Sequence, residues 1–493
     1  MKPPAAAPAS TTRLFLTIFP SIMLPMFLAV VDQTIVATAL PAIAGSLGNV
    51  EDISWIVISY LLATTIAAPI YGRLGDVFGR RKLMYVGLFI FMAASVLCAL
   101  APSVVLLSAA RLAQGLGGGG LMTSSQALIG EAIPPRERGR YQGYIAAVVV
   151  SSSTFGPVAG GYLTQHLGWQ SVFLVNIPIG LLAALLMLRL PRRRTTDEGW
   201  NFDALGLLLF VSFVGPALIA IELSQRYDAR FVPLIIGLSI CAAGALILLV
   251  RQEKRTASPL LPIALLSKKP IFLSDALAAC HGAALVSLVT FLPLYMRVAR
   301  GASAGESGLL LLPLTAGVGI GSLVTGRLVS KTGRTFVFPS LGMIVSLTAI
   351  ICFALLAPSL SLPQISALMG VNAMFMGTVM GVVNVTVQSA AGPQMLGAAA
   401  GSVQFSRAVG ASLGTAIVGA VLFLSLAAAD EQSAALFGSL VEHGAENLRR
   451  LEASRRAVVE MEIAHAFRAA FLTVALFMGG ALSLSWLNPA RRV

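Results

Sequence analysis

Charged side chains are scarce in this chain, at 11% of residues, so those inside long apolar runs are where chemistry has to be sought. Asp32 lies within the first such run, in Val31-Asp-Gln-Thr-Ile-Val-Ala-Thr-Ala-Leu-Pro41. In a lipid-spanning helix an aspartate costs about 2.5–3.5 kcal/mol on insertion scales, so it needs a water path, a partner or a proton. A carboxyl that alternates between apolar surroundings and a nearby cation takes up and releases a proton, which makes Asp32 a candidate proton-binding residue. The bland alternative is a permanently paired ion that ties helices together. Arg111, in Arg111-Leu-Ala-Gln-Gly115, is the candidate counter-charge. If its helix enters near residue 104 and the first helix leaves near residue 40, the two residues lie about 10 and 12 Å below one surface. Spacing alone leaves open whether they face each other, and Arg111 could instead be an anchor bonded to carbonyls.

Other buried-looking ionisable residues are less telling. Arg407, in Arg407-Ala-Val-Gly-Ala-Ser-Leu-Gly414, is divided between a substrate cavity and packing. Asp275 and Glu222 lie near the expected ends of their helices, where water can solvate them. His281 titrates near neutrality in the open, but one histidine on an apolar helix is more often structural. The four histidines, at 166, 281, 443 and 465, are scattered, and no nucleophile–base pair or metal spacing is legible, so an enzyme, a metal site and a cofactor are not expected. The glycines from Gly115 to Gly120 lack the Lys-Ser/Thr of a phosphate loop. With no ATP site in view, an ion gradient is the expected energy source: one charge crossing 100 mV is worth about 2.3 kcal/mol.

The elements that carry these residues must be membrane helices. The chain is 57% hydrophobic with mean hydropathy +0.85, whereas soluble domains carry about 25% charged residues. Fourteen apolar stretches are long enough to span, from 14–40 to 464–488, with the sixth at 170–190. The four cysteines all fall in such stretches and read as packing residues. Basic residues concentrate in alternate loops, among them Arg73, Arg80, Arg81 and Lys82, then Arg136, Arg138 and Arg140, then Arg327, Lys331 and Arg334. The positive-inside rule then puts both termini in the cytoplasm of a multi-pass protein of the cell (inner) membrane. The net charge of +13 is thus a topology signal, and nucleic acid is not an expected partner.

The turn Gly72-Arg-Leu-Gly-Asp-Val-Phe-Gly-Arg80 recurs in reduced form as Gly326-Arg-Leu-Val-Ser-Lys-Thr-Gly-Arg334. Such a pair suits a transporter built from two similar halves. The expected organisation is a six-helix bundle over 1–190, linkers with two inserted helices over 191–269, and a second six-helix bundle over 270–493. An outer segment, 428–463, belongs to the last part; around 445–468 it reads either as an amphipathic surface helix or as a solvated loop.

Five motifs in order now resemble one family, the fourteen-helix drug:proton antiporters of the major facilitator superfamily, over almost the whole chain. They are the run around Asp32, the turn 72–82, the Arg111 motif, Gly156-Pro-Val-Ala-Gly-Gly161 and Trp169-Gln-Ser-Val-Phe-Leu-Val-Asn-Ile-Pro-Ile-Gly180. The resemblance implies the major facilitator fold and proton-coupled export of small amphipathic or cationic organic compounds by alternating access. A dedicated metabolite or lipid exporter on the same scaffold is the alternative. It implies proton coupling at Asp32 and Arg111. It also implies a conformational latch of Asp76, Arg80 and Glu131 that reaches a helix start near Leu396 and Gly397. Gly156, Pro157, Gly160 and Gly161 correspond to the antiporter motif, expected to break and thin the fifth helix. Expected partners are the substrate, protons and the bilayer, with a periplasmic adaptor in a Gram-negative host. The second turn departs from the pattern, with Ser330 in place of Asp76, so an ionic latch is expected in the first half only.

Overall fold

Apolar stretches bounded by glycine, proline and polar caps fold as helices throughout. The computed structural model describes residues 11–48, 52–190, 203–225, 229–256, 259–430, 437 and 453–492. Thirteen helices among them are long and apolar enough to cross a membrane. The chain divides into two compact units.

Unit 1 holds α1 (Thr11–Leu47), α2 (Trp55–Phe78), α3 (Arg80–Ala99) and α4 (Val104–Ala132). It also holds the later part of α5 (Pro135–Leu167), then α6 (Ser171–Leu174) and α7 (Asn176–Met187). The first run is one helix, carried through Pro41 to Leu47, longer than expected. The sixth expected span is instead a shorter apolar stretch, Ser171–Met187, split at Val175. Pro178 explains the split: it offers no N–H to the carbonyl four residues earlier, at Leu174.

The α2–α3 turn is possible because Gly79 takes φ +91°, where a side chain would be strained; Gly333, its counterpart in the second copy of the turn, takes φ +66°. The two turns share the positive φ but not the full backbone shape, since ψ is 127° at Gly79 and 1° at Gly333. Inside unit 1, α4 is wedged between α2 and α3 by its glycines. A Cβ on Gly117 would lie 2.6 Å from the Gly87 carbonyl oxygen, and one on Gly119 2.6 Å from that of Thr64. Only hydrogen fits at such approaches, which is how small residues let membrane helices pack.

Unit 2 contains residues 133–150, which include the first part of α5, and the chain from 201 onward. Its helices are α8 (Ala204–Ser224), α9 (Val232–Arg255), α10 (Ile263–Leu266), α11 (Lys269–Val298) and α12 (Ala304–Leu310). There follow α13 (Leu312–Thr332), α14 (Val337–Leu356), α15 (Leu362–Ala391), α16 (Leu396–Ala429) and α17 (Ala453–Leu487). Local chemistry sets several starts. Asp203 caps α8 by accepting from the Gly206 N–H at 2.8 Å, and Ser303 with Glu306 forms a capping box on α12. α8 and α9 pack on each other, and Phe210 of α8 meets Phe405 of α16 with centroids 5.6 Å apart. The core of α11, α14 and α17 is aromatic: Tyr295 lies 5.3 Å from Phe467 and 5.8 Å from both Phe353 and Phe471, in edge-on pairs.

Most of the linker 191–203, and 431–436 and 438–452 of the outer segment, lie outside the described residues. From Ala453 onward the expected surface helix is instead the opening of α17, which runs unbroken to Leu487.

Candidate functional site

Five helices of unit 1 bring polar side chains to one buried point. Asp32 (α1) is 0% exposed and Arg111 (α4) 1%. An Nη of Arg111 is hydrogen-bonded to Asp32 Oδ2, so the two residues do face each other. Asp32 Oδ1 accepts from Gln114 Nε2 (α4) and from Asn176 Nδ2 (α7), both at 2.9 Å. Both amides also donate to the Ser95 hydroxyl (α3), at 2.8 and 3.2 Å, and Ser95 in turn donates to the Phe91 carbonyl.

Arg111 has further partners. Nη1 donates to Gln114 Oε1 at 2.7 Å and Nε to the Ile56 carbonyl at 3.2 Å. Its guanidinium carbon stands 4.2 Å from the Tyr60 ring centroid, a cation–π contact, and 5.9 Å from that of Phe173. Tyr60 is fixed by donating its hydroxyl to the Ala29 carbonyl at 3.0 Å. The carboxylate is thus held by one cation and two amides, and the cation by several acceptors besides the carboxylate. Such an arrangement can stabilise the ionised carboxylate, yet it does not orphan Arg111 if Asp32 becomes neutral.

Asp32 and Arg111 stand out in the sequence, whereas Gln114, Asn176, Ser95 and Tyr60 do not. Two of these four were within reach. Gln114 is three residues after Arg111, on the same helix face, and Asn176 is the polar residue of an otherwise apolar stretch. Asp32 lies deeper than expected, because α1 ends at Leu47 rather than near residue 40.

A second charged group lies where α2, α3 and α4 meet. Arg80, the first residue of α3, donates Nη2 to Asp76 Oδ1 at 2.5 Å and Nη1 to Glu131 near the end of α4. Arg80 and Asp76 side chains are each 2% exposed, Glu131 28%. The turn at Gly79 is what allows Arg80 to fold back on α2.

The motif on α5 behaves differently from expectation. Pro157 does not break the helix, which runs from Pro135 to Leu167. The proline ring is on the exposed side, and a lost donor there is tolerated in a membrane helix when neighbouring turns hold. Gly156 and Gly160 do admit close approach to α1: a Cβ on Gly156 would strike Thr34 Oγ1, and one on Gly160 would lie 2.6 Å from the Ile35 carbonyl oxygen. Gly161 does not thin the helix contact, since nothing lies within 4 Å of a Cβ placed there.

In unit 2, Arg407 (α16) forms no hydrogen bond or ion pair with another described residue. Its Cγ would sit 3.0 Å from a Cβ on Gly282 of α11. His281 is buried with Nε2 3.0 Å from the Met376 carbonyl oxygen, in keeping with a structural histidine. Asp275 Oδ1 accepts from Ser402 Oγ at 3.3 Å. Among the described residues no cluster of His, Cys, Asp and Glu is arranged to hold a metal.

Known proteins share this sequence pattern and this architecture. The sequence model of the Major Facilitator Superfamily matches residues 22–415. An uncharacterized MFS-type transporter of Mycobacterium tuberculosis is 34% identical over 407 residues, 82% of this chain and 59% of the relative. The match therefore spans little more than half of that relative's length. The multidrug transporter protein MdtP of Bacillus subtilis is 31% identical over 403 residues, 81% of this chain and 74% of the relative. In fold, the crystal structure of the human organic anion transporter MFSD10 aligns with TM-score 0.67 at 14% identity, covering 97% of this chain and all of that one.

Proposed function

The chain belongs to the Major Facilitator Superfamily and is a transporter rather than an enzyme, and from that premise we propose that it is a proton-coupled exporter of small organic compounds. The observation that carries the reading is the buried Asp32–Arg111 pair with its two amides. A buried guanidinium has five N–H donors to satisfy, and one carboxylate cannot meet them all. Here Ile56, Gln114 and Tyr60 hold Arg111 independently of Asp32, so the carboxylate is free to change charge. A proton on Asp32 weakens the pair, and loss of that proton restores it. Because Arg111 stays partnered in both cases, the network permits a two-state element.

Alternating access would rest on two halves, 1–190 and 270–493, with 191–269 as an inserted pair and linkers. The Asp76–Arg80–Glu131 group is read as a latch at the cytoplasmic face, whose ion pairs would bias the transport equilibrium. Gly156 and Gly160 set how closely α5 approaches α1, while Pro157 lies on the exposed side of the helix. Arg407 is a candidate for the substrate cavity, because among the described residues it forms no hydrogen bond or ion pair and can meet a polar group of the cargo. Relatives named as multidrug transporters support a varied cargo, and amphipathic or cationic compounds are the class we propose for it. We place the protein in the cell (inner) membrane with both termini cytoplasmic, and a periplasmic adaptor would join it in a Gram-negative host.

The test is a resistance panel in a host stripped of its own exporters. Protection against several unrelated amphipathic compounds, abolished by a protonophore, is expected. Protection against none, with transport of one metabolite or lipid, would replace the multidrug reading by a dedicated exporter.

A further inference from the structure

Unit 2 contains a cavity of about 350 Å³ between the far ends of α11 and α14 and the opening of α17. It lies at the opposite end of these helices from the backbone bridge between Arg334 and Arg492. The volume is within the range of small-molecule sites. Tyr295, Phe467 and Phe471 form the floor, and Ala354 and Pro358 a wall. The rim carries His465 and Arg468, both exposed, while Arg300 stands beside it with Nη1 on the Ala357 carbonyl at 2.6 Å. The carboxylate on the rim, Glu460, is met by Arg456 Nε at 2.7 Å. The rim is therefore cationic over an apolar floor.

The same face of α17 continues as exposed apolar side chains beyond Arg468. Met461, Leu472 and Leu476 are exposed at helical spacing with His465 and Arg468, and Leu476 is 75% exposed. From Arg468 to Leu487 the helix rises about 29 Å at 1.5 Å per residue, close to the hydrocarbon thickness of a bilayer. Arg468 is thus placed at the boundary between headgroups and acyl chains. An arginine there binds a phosphate through its planar fork, and the slot beneath it suits an alkyl chain.

We propose that this cavity binds one anionic phospholipid of the adjoining leaflet, its phosphate on Arg468 and one acyl chain over the Tyr295–Phe467–Phe471 floor. The site is separate from the Asp32 network and does not depend on the transport reading. Its charge gives it a preference for phosphatidylglycerol over phosphatidylcholine, because only the former lacks a cation of its own to meet the basic rim.

The full-length protein, taken from vesicles of equal phosphatidylglycerol and phosphatidylcholine, is examined by native mass spectrometry after detergent exchange. One retained phosphatidylglycerol per chain is expected. Arg468→Gln should lower its occupancy about tenfold, the equivalent of about 1.4 kcal/mol, and Arg468→Lys should recover part of it. Ala464→Phe, which fills the slot and leaves the charges, should remove it. Equal retention of both lipids by the wild type, detergent alone in the site, or unchanged phosphatidylglycerol in Arg468→Gln and Ala464→Phe would each overturn the proposal.

Discussion

Removing one member of the Asp32–Arg111 pair should cost more than the pair itself is worth. Arg111→Met leaves a carboxylate at 0% exposure with only the amides of Gln114 and Asn176. Losing one partner of a buried pair costs about 3–5 kcal/mol, so this variant belongs at the upper end of that range. Asp32→Asn is milder. Arg111 keeps Gln114 Oε1 at 2.7 Å, the Ile56 carbonyl at 3.2 Å and the Tyr60 ring at 4.2 Å. The ring contact alone is worth about 2 kcal/mol when desolvated, which puts the loss near the lower end of the same range. The double variant removes both charges and leaves none unpaired. Its loss should fall short of the sum of the two by about 2–3 kcal/mol, a coupling typical of residues in direct contact. Equilibrium unfolding of the three variants in mixed micelles, followed by circular dichroism, measures the cycle. Additive losses, each below about 1 kcal/mol as for exposed ion pairs, would refute the buried network.

Three further outcomes follow from the same geometry. Gly119→Val should destabilise by about 1–3 kcal/mol, since its Cβ meets the Thr64 carbonyl oxygen at 2.6 Å, whereas Gly161→Val, with nothing within 4 Å, should leave melting unchanged. Asp76→Ala frees one side of Arg80 and should slow turnover several-fold with little change in substrate affinity; a pure affinity loss in equilibrium dye binding would contradict the latch. Arg407→Gln should be tolerated in expression and folding, because no described residue loses a partner, but should alter the transported range in a resistance panel.

Much of the fold was legible because lipid enforces it. A chain with so few charges must form spanning helices, and the repeated Gly-Arg turn reappears as positive φ at both Gly79 and Gly333. Helix interruptions were not legible. Pro157 and Pro178 both remove a donor, yet only the second splits its helix, and sequence offers no measure of how well neighbouring turns compensate. The same limit applied to the site. Asp32 and Arg111 stand out because charge in lipid is costly, while Gln114, Asn176 and Ser95 are uncharged and gain meaning only once five helices converge. Tyr60 was hidden for another reason: its role depends on which face of α2 meets α4, and the glycines of α4 decide that.

Substrate-driven proton release is the most direct test of the central claim. Purified protein in liposomes, with an imposed inward-acidic gradient and a pH-sensitive dye inside, is given a transported cationic dye from the side that takes it up. The wild type should discharge the gradient in step with transport. Asp32→Asn, still folded and still binding the dye, should lose the discharge. Proton release by Asp32→Asn at the wild-type rate would contradict the account.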